Sequence, residues 1–234
     1  MKQVNNMAVN YMCQNHVPYS KIQSYGYPFS QQYNATMYTP PGYNYSNWHH
    51  MLHCINRPKL NLMNNIRMLW EQHAAWTRMA ISSIVFGTPD ESFVVNRLLR
   101  NPIDFEIILG PFYGDVIAAE FKNLLTDHLT IAAELVKVAK AGDKLKADNV
   151  EKRWYANADE IATLLGNINP YWSKKDWQKM LYQHLGFVKT EATDLLAKDY
   201  PASIQTYDKL ETQILKMADI MSEGIIRQFP SRFL

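Results

Sequence analysis

No acidic residue occurs in this 234-residue chain before Glu71, and only two cysteines occur anywhere, Cys13 and Cys54. Two thiols cannot build a disulfide framework. A dominant charge is lacking too: 24 basic against 22 acidic residues leave a net +2, which advertises neither nucleic acid nor an anionic membrane. Long apolar runs are missing, the longest being short and interrupted, as in "ISSIVF" at 81–86. No membrane span is expected, and the N-terminus lacks the basic-then-apolar pattern of an export signal. The expectation is a soluble, cytoplasmic protein. None of the nine glycines falls in a GxGxxG or a P-loop, and neither G-x-S-x-G nor H-E-x-x-H occurs. Catalysis has no motif to support it.

What is present divides into two textures. Residues 1–57 are rich in Asn, Gln, Tyr, Pro, Ser and Met, and eight of the 14 tyrosines precede Asn47. Pro18, Pro28, Pro40 and Pro41 interrupt any helical or alternating pattern there. This composition predicts a disordered, adhesive tail able to associate with itself or with other proteins. Residues 58–234 carry long helical periodicity and no strand-like alternation. The spacing predicts long helices near 60–86, 115–140, 143–166, 174–198 and 202–228. A shorter one is expected at 89–100, with another turn or two after Pro102. Gly87 with Pro89, Asn101 with Pro102, Gly114, Gly142, Gly166, Asn169 with Pro170 and Pro201 supply the stops. Thr88 and Ser173 mark starts. The fold class is therefore all-α: an up-and-down bundle of five long helices plus a short one, behind a disordered N-terminal tail.

Three of the seven histidines fall in the helical region, and all three sit on apolar stripes. His73 continues Leu62, Ile66 and Leu69; His128 continues Ile117, Phe121 and Leu124; His184 continues Trp177 and Leu181. If the helices flanking Gly142 form an antiparallel hairpin, residues equidistant from the turn face each other, which sets His128 opposite Asn157. The same construction about Pro201 sets Glu191 against Tyr207 and Asp208. Buried polar groups need partners, because desolvating one unpaired costs several kcal/mol. The bundle should thus hold polar layers near Asn157 and near Glu191.

Three readings of this interior stand side by side. Each histidine is neutral and bonded to a neighbour, with Thr77, Thr130 and Asn157 available. Or His73, His128 and His184 converge on a divalent transition metal, as imidazoles from facing helices do in bundles. Or they line a small-ligand pocket beside Trp70, Trp76 and Trp154, with Gly186 leaving room. Glu191 is expected to pair with Tyr207 or Lys209; left unpaired, it would be a candidate base. In the tail, "HHMLHC" offers His49, His50, His53 and Cys54 as a second, weaker metal-binding set. A faint repeat relates the stretches beginning at Gln72 and Gln183, each with a histidine 16 or 17 residues before a helix-starting proline.

The stretches "LWEQHAAWTR", "RLLRNPIDF", "LLTDHL", "WYANADEIATLL", "NINPYW" and "MADIMSEGIIRQFPSRF" resemble an uncharacterised group of helical proteins from spore-forming Gram-positive bacteria. Members sometimes carry labels such as acetylglutamate kinase or glycosyltransferase, which imply nucleotide-binding α/β folds foreign to this sequence. The resemblance implies a bacterial, spore-associated setting and transfers no catalytic residues. The leading expectation is a non-enzymatic bundle with an assembly or binding role through its tail. Metal binding and small-ligand binding are the alternatives.

Overall fold

The computed structural model describes residues 56–234. Residues 1–55, with His49, His50, His53 and Cys54, lie outside the described residues. Seven α-helices follow in order among the described residues: α1 Arg57–Phe86, α2 Glu91–Leu98, α3 Asn101–Tyr113, α4 Asp115–Lys140, α5 Lys144–Ile168, α6 Lys174–Leu196 and α7 Tyr200–Gln228. A 3-10 turn, Pro230–Phe233, ends the chain. No strand occurs among them, and no helix is long and apolar enough to cross a membrane.

Turn chemistry sets the boundaries. Gly87, Gly114 and Gly142 adopt φ of 65°, 80° and 76°, the left-handed region that ends helices without a Cβ penalty. The side chains of Asp143, Ser173 and Asp199 accept from the backbone N–H groups of Lys146, Asp176 and Ala202, capping α5, α6 and α7. Thr88 differs from expectation. Asp90 occupies the cap position of α2, and the Thr88 and Ser83 hydroxyls donate to its carboxylate. The segment after Pro102 differs too, being a 13-residue helix rather than a turn or two. Proline in a first turn lacks only an N–H that would be unpaired there anyway, so Pro102 opens α3 instead of ending it.

The helices pack as three successive pairs: α1 with α3, α4 with α5, and α6 with α7, the small α2 being inserted into the first. Each pair also abuts the next, α3 on α4, α5 on α6 and α7 on α1, which closes a ring. The first members α1, α4 and α6 carry the three histidines, and α1 contacts both of the others directly. One large core runs through the ring around Phe105, Phe121, Trp154 and Trp177, each at most 2% exposed. A smaller cluster of Ala80, Val94, Leu98 and Leu129 seats α2.

Candidate metal centre

Ring nitrogens of His73, His128 and His184, one from each, all lie within 4.8 Å of one another. The ring centroids are farther apart, at 5.7, 6.2 and 6.4 Å, so these nitrogens point inward. Each residue is 2–3% exposed. Three stripes that look independent along the sequence therefore meet at one point.

The outward side of each ring reveals how it is held. The Asn101 amide donates from Nδ2 to the Leu69 carbonyl at 2.9 Å, and its Oδ1 stands 3.2 Å from His73 Nδ1. The Asn157 amide donates to the Leu124 carbonyl at 3.0 Å, with its Oδ1 3.0 Å from His128 Nδ1. A carbonyl can only accept, so each amide nitrogen must face it and each amide oxygen must face the imidazole. Nδ1 of His73 and His128 is then the protonated donor, and Nε2 keeps its lone pair. The inward nitrogens are thus Nε2.

A third unit repeats this arrangement incompletely. Gln213 donates from Nε2 to the Met180 carbonyl at 2.9 Å, four residues before His184, as Leu69 and Leu124 precede their histidines by four. Gln213 Oε1 and His184 Nδ1 are both buried and neither has a hydrogen bond. The Gln213 amide nevertheless acts on the ring, favouring its protonated form. The third arm is present but open. The histidines fall at 73, 128 and 184 and the amides at 101, 157 and 213, an interval of 55 or 56 residues throughout. The repeat has three members where the sequence suggested two, and each is one helix pair.

Burial keeps the trio neutral. Desolvation pushes His73 down to about 4, and His128 to about 3 with His73 adding repulsion. His184 is held well below the ordinary imidazole value by burial first and by the other two rings next. All three are therefore in the ligand form at neutral pH. For three atoms no more than 4.8 Å apart, some point lies within about 2.8 Å of all of them. Ligation at ~2.0–2.1 Å asks each ring to close by about 0.7 Å, within the reach of small χ adjustments. Beside the rings is a cavity of about 10 Å³ walled by Trp70, Phe121, Leu125, Ile161 and their neighbours. That holds about one water-sized centre, whereas pockets for organic ligands run to hundreds of Å³.

The remaining candidates separate. Asn157 faces His128 as the hairpin construction about Gly142 requires. Thr77 does not serve a histidine, its hydroxyl being buried without a partner, and Thr130 is exposed and bonds the Thr126 carbonyl. Trp76 stacks against Arg97 near α2, 4.8 Å from guanidinium to ring centroid, and Gly186 does not border the cavity. Asp208 is exposed and belongs to no polar layer. Glu191 is 1% exposed, but its partner is Arg78 of α1, not Tyr207 or Lys209. Arg78 also donates to the Ser203 hydroxyl at 3.4 Å and lies over the Tyr207 ring at 4.8 Å. Burial raises Glu191 to about 7 against the opposing pull of Arg78. Hairpin reasoning looks only at sequential neighbours and so passes over α1, which packs on α7 from the far end of the chain. Asn101 and Gln213 were missed as partners; their distances of 28 and 29 residues from a histidine, matching that of Asn157, are the signal that would have found them.

No protein-family model, curated protein or solved structure matches the chain.

Proposed function

We propose that the helical unit binds one divalent transition-metal ion through Nε2 of His73, His128 and His184. The observation that carries this reading is the convergence of three buried imidazole nitrogens, with the outer nitrogens of His73 and His128 bonded to buried amides. Lone pairs gathered in an apolar interior repel one another and lack donors. With the His184 proton on Nδ1 beside Gln213, one cation serves all three nitrogens. Imidazole sets of this kind suit zinc, copper, nickel or iron, and zinc with three protein nitrogens keeps a fourth position for a small ligand. Outer amides take the orienting role that carboxylates or carbonyls fill at other histidine sites.

Elemental analysis of the full chain, purified without a histidine tag and dialysed against zinc, should find about one ion per chain. Replacing any one of the three histidines by alanine should abolish retention. A chain starting at Asn56 should retain the ion equally. Zinc in the full chain but not in the shorter one would move the site to His49, His50, His53 and Cys54. Zinc retained in neither would leave three neutral packed histidines and end the proposal.

A further inference from the structure

The cavity beside the three histidines has a second chemical character. Trp70 and Trp177 both line it, at 4% and 1% exposure, and the indole N–H of each is buried with no acceptor among the described residues. Buried donors are almost always paired, and these two unpaired ones belong to residues that wall the same small cavity. The charge balance also calls for an acceptor. None of the ten lining residues is charged, and the amides behind the imidazoles are neutral. A dication held by three neutral rings in that setting has no counter-charge, and uncompensated buried charge is costly. Volume then limits the missing acceptor, because about 10 Å³ admits one small group and nothing of organic size.

Building on the metal reading above, we propose that the fourth ligand of the centre is a small monoanion, hydroxide or one of similar size, bound to the ion and accepting hydrogen bonds from the indoles of Trp70 and Trp177. Both indoles belong to residues that wall the cavity beside the three histidines. The anion neutralises half of the ion's charge and satisfies both indoles at once. Its class is set by size and charge: one or two heavy atoms and a single negative charge, with carboxylates and phosphates excluded by volume. The three indole groups of this region also separate by role. Trp154 packs against His128, with ring centroids 5.4 Å apart, and its N–H is unpartnered too, but it does not border the cavity.

The test uses the full chain loaded with cobalt(II), whose visible bands report coordination, with cyanide as the anion probe and acetate as the size control, after overnight equilibration. Cyanide should shift the bands with saturation at one per cobalt, and acetate should leave them unchanged at tenfold higher concentration. Trp70→Phe and Trp177→Phe, which keep a ring and remove the N–H, should retain one cobalt per chain and weaken cyanide on the order of tenfold each. Trp154→Phe should not change the cyanide affinity. Cobalt retained with bands unmoved by cyanide, or an affinity unchanged in both cavity variants, overturns the anion proposal and leaves the metal site standing. Failure of the parent protein to retain cobalt overturns both.

Discussion

Asn101 and Asn157 each use both ends of a carboxamide, one to grip the carbonyl a turn before a histidine and one to fix that histidine's tautomer. Such orienting groups commonly govern metal affinity by ten- to a hundredfold. Asn101→Ala and Asn157→Ala should each weaken zinc binding by about that factor in chelator competition, with the helical circular dichroism retained. Gln213→Ala should weaken it less, since its oxygen makes no hydrogen bond among the described residues. Glu191 makes a different demand. Glu191→Ala strands Arg78, which at 26% side-chain exposure can turn partly to water, so the cost should sit near the low end for a broken buried pair, about 3 kcal/mol in urea denaturation. A cost below about 1 kcal/mol would show that burial of the carboxylate had already cancelled the gain from pairing.

Each helix pair presents a histidine from its first member and an amide from its second. The second and third pairs do so across short turns at Gly142 and at Lys198 with Asp199. The turn at Gly142 could be read from the sequence, so His128 and Asn157 could be paired from it. The first pair is harder to read: His73 and Asn101 also lie 14 residues either side of Gly87, but α2 interrupts the return, so no continuous helix carries Asn101 back along α1. Pro102 compounds the difficulty, since a proline reads as a stop until its place in a first turn is seen. Close packing between elements leaves its own mark on α7. A Cβ added at Gly224 would lie 1.9 Å from Trp172 Nε1, and that indole donates to the Ile220 carbonyl at 3.1 Å. Gly224→Ala must displace a buried ring and break its hydrogen bond, and should cost about 2–4 kcal/mol in thermal or urea unfolding.

For the molecule as a whole, the buried histidines and Glu191 pull stability in opposite directions with pH. The unfolded imidazoles take up protons near 6.5, whereas the native His73 and His128 resist protonation down to about 4 and about 3. Metal-free stability should therefore fall as pH drops below about 6.5, by up to ~1.4 kcal/mol per unit for each ring. Native Glu191 keeps its proton up to about 7, so its contribution is complete below the unfolded carboxyl value near 4.5 and is lost as pH rises to 7. Three imidazoles outweigh one carboxyl, so urea midpoints should climb from pH 4 to 6.5. Single histidine variants should flatten that climb, and Glu191→Gln should steepen it. The tail carries a separate expectation, grounded in composition: a chain starting at Asn56 should keep its helical unfolding transition and lose self-association in sedimentation. Equal association by the shorter chain would assign any assembly to the bundle.

The sequence by itself determined six of the seven helices, the apolar stripes and the presence of a histidine on three of them, because periodicity and turn chemistry are local and repeat every few residues. It also determined the pairing of His128 with Asn157, since a short turn converts distance along the chain into opposition across it. Only the tertiary structure decided that the three stripes meet, that Arg78 rather than Tyr207 answers Glu191, and that the enclosure holds about one water-sized group. Those facts depend on how α1 closes the ring against α7 and α4, a contact between elements far apart in the chain that no local pattern encodes.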